Sequence, residues 1–301
     1  MAEEISTFLK QALDELSIHR ENKVCVISIV SKSALGENLS KVALLNQLVE
    51  KQMFTSYASM KKFDNCSIEV FFDADNQCIF LNFQSPYELN SFEFRRAESE
   101  NYHQWWMDKE KQVVAHLLYL FSISQIVLFL QPTCRFDLSY LRLFRNLNYL
   151  REKCLTSVQD ILSDITSVPK GWSKEGRAGC PRVLFLFSRP PSFMKPDGTV
   201  ETRKGSYKKL AACLEDQIFR LFRKSRIVTN NSSISICSLP SKQSFCYIFG
   251  PNEEPKEFGR EILSNLSCSD DKKNEYEDYG FKNFFFDHVD LAFSSGFDDN
   301  A

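Results

Sequence analysis

The sequence predicts an α/β fold in which helices cover both faces of a mostly parallel sheet, giving three layers. Runs typical of strands alternate with helical patterns along the chain, and this alternation requires crossover connections between parallel strands. Several of the strand-like runs are apolar throughout, as expected for strands that are buried on both faces. The chain has 301 residues, of which 43% are hydrophobic and 25% charged. This composition excludes a wholly disordered, collagen-like or coiled-coil protein, and the length suits one large or two small domains.

The first half of the chain contains the start of this pattern. Lys23 to Val30 is a β-branched run that predicts a buried strand, and a polar loop then leads into a helix with Leu39, Val42, Leu45, Leu48 and Val49 on one side. The next predicted elements are strands at 67–72 and 77–83, joined by the polar turn 73–76, and a helix at about 101–121. The spacing predicts an amphipathic helix over residues 1–22, and we expect its apolar stripe to be buried in the domain or at a partner interface. The stripe consists of Ile5, Phe8, Leu9, Ala12, Leu13 and Leu16.

The second half repeats strand and helix signals. The run 126–131 is the most apolar strand, Pro132 ends it, and the following helix has Asp137 near its start and Leu138, Leu141, Phe144 and Leu147 on one side. The remaining predicted elements are a strand at 182–187, a helix at 206–224, strands at 233–239 and 245–249, a helix around 258–266 and a hydrophilic linker at 269–279. The predicted divisions are therefore an N-terminal helix at 1–22, an α/β domain at 23–268, and an acidic linker with a Phe-rich docking segment at 269–301.

An uncharged run from Gln112 to Cys134 has the length of a membrane span. His116, Ser122, Ser124 and Gln125 would be costly in lipid, and the Ser-Ile-Ser-Gln sequence divides the run into a helical half and a β-type half. The sequence therefore predicts a buried helix followed by a central strand, and no membrane association.

Long loops are predicted around 169–205, where half of the chain's Gly and Pro residues are found. Residues 170–209 contain ten Lys and Arg against three Asp and Glu. A phosphate or nucleic-acid patch would explain this excess, but the segment has no interleaved aromatic residues of the RNA-binding type. We favour the interpretation as solvated loops.

Charge and cysteine content narrow the cellular setting. With 37 Lys and Arg against 39 Asp and Glu, the net charge of -2 provides no overall attraction to nucleic acid or an anionic membrane. The ten cysteines include no Cys-x-x-Cys pair, and several lie in apolar runs, so we interpret them as buried thiols rather than a disulfide framework or zinc site. The start of the chain has no basic region followed by an apolar stretch, so no secretory signal is expected. These features indicate a cytosolic or nuclear protein.

The loop after the first strand stands where an α/β domain carries a phosphate-binding loop of the pattern Gly-x4-Gly-Lys-Ser/Thr. In this chain Gly36 is retained, but Ser31 occupies the first glycine position, Glu37 the lysine position and Asn38 the hydroxyl position. Two like charges about 4 Å apart repel by roughly 4 kcal/mol at an effective dielectric constant near 20, so Glu37 would oppose phosphate binding. A shifted alignment on Ser40-Lys41-Val42 restores a lysine but loses the hydroxyl and both glycines. The segment is either a degenerate phosphate loop or an ordinary turn between a strand and a helix.

The other nucleotide-binding motifs are also absent from the sequence. Asn82-Phe83-Gln84-Ser85 stands where an Asp-x-x-Gly motif would bind magnesium and sense the terminal phosphate, and Phe187-Ser188-Arg189-Pro190 stands where Asn-Lys-x-Asp would bind guanine. The four histidines (19, 103, 116 and 288) lack metal-ligand spacing, and there is no Gly-x-Ser-x-Gly motif. Trp105-Trp106 suits either an interface or the core. We expect no catalytic residue, no cofactor and no metal.

Four stretches carry a family resemblance. They are Leu117–Ser122, Val127–Asp137, Leu184–Phe187 and, most specifically, Ala212–Asn230. Together they resemble the N-terminal region of the family of the eighth SMG protein (SMG-eight), a subunit of the kinase complex of nonsense-mediated mRNA decay. The resemblance covers residues 20 to 250, is strong in these blocks and is weak in the loops.

The resemblance implies a P-loop GTPase-like (G-domain-like) fold without GTPase activity in a cytoplasmic protein. It also implies a heterodimer with the ninth SMG protein, and association with the phosphatidylinositol-kinase-like kinase of nonsense-mediated decay, which the pair helps to restrain. Members of the family are much longer, so we expect this chain to be an N-terminal part. The alternatives are an active dynamin-like or Ras-like GTPase with an atypical phosphate loop, and a nucleic-acid-binding module that uses 170–209.

The last stretch, 281–293 together with Phe297, would expose six phenylalanines if it were free in water. We therefore expect it to dock. Packing on the α/β core as an extra helix, and contributing to the heterodimer or to a downstream domain, are the two alternatives.

Overall fold

The order of elements follows the alternation in the sequence. The computed structural model describes residues 23–31, 41–49, 66–85, 102–187, 200–231, 233–241, 243–249 and 279–294. The strands are β1 (Cys25–Ser31), β2 (Ser67–Asp73), β3 (Cys78–Gln84), β4 (Ile126–Gln131), β5 (Arg182–Phe187) and β6 (Cys246–Ile248). The helices are α1 (Lys41–Val49), α2 (Tyr102–Ile123), α3 (Ser139–Ser163), α4 (Lys170–Glu175), α5 (Val200–Lys224) and α6 (Tyr279–Ser294).

The six strands form one sheet in the order β2-β3-β1-β4-β5-β6, and only β2 is antiparallel to its neighbour. This is the strand order of G domains, so the expectation of a G-domain-like α/β fold is confirmed. The fully buried strand β4 lies between β1 and β5, where its apolar run predicted a central strand. Among the helices of the described residues, none combines the length and the hydropathy that a membrane span requires.

Helices pack on both faces of the sheet, as a three-layer fold requires. On one face Phe129 of β4 lies 5.3 Å from Phe144 of α3, and Phe185 of β5 lies 6.0 Å from Phe222 of α5, measured between ring centroids. Phe83 of β3 stacks on a histidine of α2 on this same face. The many phenylalanines of the sequence therefore form a continuous aromatic layer between the sheet and these three helices.

Helix α6 packs on the opposite face and contains five of the six phenylalanines of the Phe-rich segment. Phe285 is fully buried and stacks on Phe80 of β3 with a centroid separation of 6.2 Å. Phe281 is 3% exposed and lies 5.0 Å from the ring of Phe249, just after β6. Val289 completes a buried stripe along the helix. The described part of the segment, residues 281–293, therefore packs on the sheet, as the first of the two docking alternatives expected, and Phe297 lies outside the described residues.

Two sequence-based boundaries around the predicted long loops were wrong. Helix α5 begins at Val200 instead of Ser206, and the short helix α4 occupies Lys170–Glu175, so part of 169–205 is helical. The short helix α4 and the first turns of α5 lack an apolar stripe, which is why the periodicity of the sequence did not reveal them. Gly176 ends α4 with a φ of 67°, in the left-handed region that favours glycine, and its N–H donates to Trp172 O at 2.7 Å.

The predicted strand at 233–239 was also wrong. This segment is irregular and makes a single isolated bridge between Ser238 and Arg182. Two arginines bind its carbonyl groups. Arg151 donates to the carbonyls of residues 233 and 234, and the buried Arg177 donates to that of Ser235 at 2.9 Å. Because these guanidinium groups bind the carbonyl groups that a neighbouring strand would use, the segment is held as a loop.

Some predicted elements lie outside the described residues. They are the N-terminal helix at 1–22, the helix around 258–266 and the linker up to residue 278. The side chains of Trp105 and Trp106 also lie outside the described set, although both residues belong to α2.

Candidate functional site

Ligands of open α/β sheets bind beyond the carboxyl ends of the strands, where the strand order reverses. In this sheet the reversal lies between β1 and β4, because the chain passes from β1 to the β3 side and later continues outward from β4. The residues that a nucleotide would meet there are the end of β1, the start of α1 and the ends of β3, β4 and β5.

Ser31, at the first glycine position of the phosphate-loop pattern, is the last residue of β1 and not part of the loop. It is 9% exposed and pairs in register with Leu130 of β4. A side chain therefore stands inside the sheet edge where the loop pattern requires a glycine that leaves room for phosphate. The other three pattern positions, Gly36, Glu37 and Asn38, lie outside the described residues.

Lys41 is the cation of the shifted alignment, and it begins α1. Its side chain is only 4% exposed, and its ammonium group donates a hydrogen bond to the main-chain carbonyl of Phe83, near the end of β3. This bond ties the start of α1 to β3 inside the protein. The lysine of a working phosphate loop instead extends toward the terminal phosphates.

The end of β3 has no carboxylate in its last residues, where a magnesium ligand would be needed. Asn82, which is fully buried, donates from its amide nitrogen to Glu69 of β2 at 2.7 Å. Gln84 accepts a hydrogen bond from Ser67 at 2.7 Å. Both side chains therefore connect β3 to the edge strand β2, which is a structural role.

At the ends of β4 and β5 the structure places one apolar and one polar side chain. Phe187 is fully buried and lies beside Phe185, so the first position of the guanine-binding pattern belongs to the core. Gln131, the last residue of β4, is 1% exposed, and neither its amide oxygen nor its amide nitrogen has a hydrogen-bond partner among the described residues. Sequence reasoning passed over Gln131, although a glutamine that ends an otherwise apolar strand is a visible signal. Positions 188–190 lie outside the described residues.

The cysteines and histidines have the character of core residues more than of reactive groups. Burial raises the pKa of the Cys25 thiol to about 12 and also raises the pKa of Cys78, its register partner on β3. Thiols that are hard to ionise are poor nucleophiles and poor metal ligands. Cys213, in contrast, is exposed on α5, so the expectation of burial was wrong at that position.

His288, on α6, is buried against the end of the loop before β6. Its Nε2 lies 2.9 Å from the carbonyl oxygen of Ser244, and burial lowers the pKa of its imidazole. His116, on α2, is half-buried, and its Nδ1 lies 2.7 Å from the carbonyl oxygen of Gln112. Across the described parts of the chain, no three His, Cys, Asp or Glu side chains converge on a possible metal position.

Taken together, most of the side chains described at the carboxyl edge contact other parts of the fold, and Gln131 is the exception. The ammonium of Lys41 binds a β3 carbonyl, Asn82 and Gln84 bind β2, and Phe187 packs in the core. The described part of this edge therefore provides neither a glycine-lined phosphate cradle nor an acidic magnesium ligand, and its geometry suits a structural edge.

Comparison with known proteins places the chain in a narrow group. The family model described as Smg8_Smg9 matches residues 19–277. A relative from Xenopus tropicalis, "Nonsense-mediated mRNA decay factor SMG8", is 32% identical over 251 residues, covering 78% of this chain and 27% of the relative. A relative of the same name from Aedes aegypti is 23% identical over 238 residues, covering 75% of this chain and 24% of the relative. The matched region thus amounts to about a quarter of the length of these relatives.

Among solved structures, the chain is similar to a protein described as "LeoA bacterial dynamin GTPase from ETEC". The sequence identity is 12%, the TM-score is 0.43, and the match covers 96% of this chain and 39% of that chain.

Proposed function

Because the chain belongs to the Smg8_Smg9 family, we propose that it acts in nonsense-mediated mRNA decay as a non-catalytic scaffold subunit of the decay kinase complex. Its G-like domain forms a heterodimer with the ninth SMG protein, and the pair helps to restrain the phosphatidylinositol-kinase-like kinase. The domain requires no cofactor and no metal, and it contacts neither membrane nor nucleic acid directly.

One observation supports the non-catalytic part of this proposal most strongly, namely the position of Lys41. A GTPase uses a lysine to neutralise the terminal phosphates, and glutamate stands at the corresponding position 37 of this chain. The neighbouring lysine, Lys41, is buried and hydrogen-bonded to β3. Hydrolysis also needs a magnesium-binding carboxylate, and Asn82 stands at that position with its amide bound to Glu69.

The test is a titration of the 301-residue chain with fluorescently labelled GTP and GTPγS in the presence of magnesium. We expect no saturable binding up to about 100 µM nucleotide, and no phosphate release above that of a buffer control. A Glu37→Ala variant is the matched control, because it removes the repulsive charge without restoring the lysine. Micromolar binding by the parent chain that is lost in a Ser31→Trp variant would instead support the alternative of an active GTPase with an atypical loop.

The scaffold part of the proposal rests on the family and on the fold. The matched relatives are named as nonsense-mediated decay factors, and a G-like domain without nucleotide chemistry still presents helical surfaces for contacts with partners. A pull-down with the ninth SMG protein tests the pairing. A kinase assay with and without the pair tests the restraint.

A further inference from the structure

Where the end of α5 meets the start of α3, the surface carries an excess of positive charge. We call it the basic surface and define it by seven exposed residues: Arg135, Arg142, Arg145, Arg220, Arg223, Lys224 and Arg226. Contacts between the two elements bring these residues together. Arg145 donates to the hydroxyl of Ser225 at 3.3 Å, and Phe136, next to Arg135, lies 5.8 Å from the ring of Phe222.

Most of this charge is not neutralised by neighbouring carboxylates. Arg142 pairs with Glu110 at 3.5 Å, and Arg220 pairs with Asp216 at 2.9 Å. The other five cations make no ion pair with a carboxylate in the described parts of the chain. The sequence shows the same imbalance, since residues 217–249 contain five Lys and Arg and no Asp or Glu. In a chain of net charge -2, this is a local concentration of positive charge.

Arg226, one of the seven residues of the basic surface, occupies a backbone position where glycine is the usual residue. Its φ is 56°, in the left-handed region. Its N–H donates to the carbonyl of Arg223 at 3.1 Å, and the N–H of Ile227 donates to that of Phe222 at 3.0 Å, which is the hydrogen-bond pattern of a Schellman cap. Glycine fits this cap position without strain, whereas arginine is strained there. Strain of this kind is often tolerated where the side chain has a function.

We propose that the basic surface is a docking site for a short acidic peptide segment of a partner protein. Arginine is suited to this role because its planar guanidinium binds a carboxylate through two parallel hydrogen bonds. Internal bonds orient two of these groups in advance, Arg145 through Ser225 and Arg223 through Asn230. Such preorganisation reduces the entropy that binding would otherwise cost.

An acidic peptide fits this surface better than RNA does. RNA is a long polyanion, and beyond the basic surface it would meet a chain of net negative charge. Recognition of single-stranded RNA also uses open aromatic faces on which bases stack. The two exposed rings nearby, Phe219 and Tyr149, each lie under a cation of the chain itself, Arg223 at 5.7 Å and Lys153 at 5.5 Å. A short acidic segment needs only the cations themselves. This inference does not depend on the proposed function.

The first experiment titrates two labelled probes with the whole chain at 50 and 300 mM salt and measures their fluorescence anisotropy. One probe is decaglutamate, and the other is a ten-nucleotide oligouridine of similar charge, which tests RNA binding. We expect decaglutamate to bind at low salt and to bind more weakly at high salt. The double variant Arg145→Glu/Lys224→Glu should weaken this binding at least tenfold. Lys208→Glu/Lys209→Glu is the matched control, because it makes the same charge change at exposed positions of α5 that lie about 24 Å from Lys224 along the helix. This control variant should change decaglutamate binding less than twofold.

The second experiment separates docking from a purely structural role. Arg226→Gly should weaken decaglutamate binding about two- to fivefold and also raise the midpoint of thermal unfolding by about 2 °C, because it removes a charge and relieves the strain. Gln77 is the other non-glycine residue with positive φ in the described part of the chain, at 53°, so Gln77→Gly should raise the midpoint without changing binding. The proposal would be overturned if decaglutamate did not bind, or if both double variants lost decaglutamate affinity equally. It would also be overturned if oligouridine bound more tightly than decaglutamate and that binding depended on the basic surface.

Discussion

Replacing Phe285 by alanine should destabilise the domain strongly, because α6 is held to the sheet mainly by its buried aromatic stripe. Phe285 is fully buried, and its ring lies 6.2 Å from Phe80, 6.3 Å from Phe281 and 5.2 Å from Phe286. Truncation of a buried phenylalanine costs about 3–5 kcal/mol, which includes the cavity left behind. For a domain of this size, that corresponds to a fall of roughly 6–20 °C in the unfolding midpoint.

The assay is thermal and urea unfolding of the parent chain, of Phe285→Ala and of Asn283→Ala. Asn283 is an exposed position on the same helix, so its variant should unfold within about 0.5 kcal/mol of the parent. Binding of the ninth SMG protein, measured well below the unfolding midpoint, should be unchanged in both variants. If Phe285→Ala unfolded like the parent but failed to bind that partner, the helix would belong to an interface and the reasoning would be refuted.

Three further changes test other parts of the structure. Burial lowers the pKa of His288, and the positive charge of Arg182 adds to the effect. As the pH falls, the unfolded chain therefore takes up the proton first, so stability is retained above about pH 6.5 and falls below it by at most about 1.4 kcal/mol per pH unit. His288→Gln should reduce this pH dependence in urea midpoints measured from pH 7.5 to 5.5. Gln131→Leu should raise the free energy of unfolding by about 1 kcal/mol, since it removes a buried amide that has no partner in the described part of the chain, and a decrease would show that the amide is satisfied. Arg177→Met should lower the free energy of unfolding by about 2–3 kcal/mol, because the carbonyls of Ser235 and Ile236 lose a charged donor. Lys174→Ala, at an exposed position, should leave the free energy of unfolding within about 0.5 kcal/mol of the parent, and equal effects would contradict the role assigned to the loop contacts.

The sheet could be predicted well from the sequence because its strands are marked by local patterns. The bounds of β4 and β5 follow directly from uninterrupted apolar runs, and the hairpin of β2 and β3 follows from the polar turn at 73–76. The strand order, in contrast, depends on contacts between distant parts of the chain, and the sequence supported it only through the family resemblance.

The errors occurred where long-range contacts or polar helices determine the structure. The segment at 233–239 has the β-propensity of a strand, but the guanidinium groups of Arg151 and Arg177, more than 50 residues earlier in the chain, bind its carbonyls. The first turns of α5 contain no apolar stripe, so they resemble a loop in sequence. At the candidate site, residue identity alone led to the hypothesis that phosphate chemistry is absent at Ser31, which stays a prediction, whereas the internal hydrogen bond of Lys41 required the structure.

The central claim, a scaffold that pairs through its G-like domain without nucleotide, can be tested by light scattering coupled to size-exclusion chromatography. The nucleotide-free chain is mixed with the ninth SMG protein, and the molar mass of the eluting species is measured. We predict a single 1:1 heterodimer whose mass is the same with and without added GTP and magnesium. Separate elution of the two proteins under both conditions, or a complex that forms only when this chain has bound GTP, would contradict the claim.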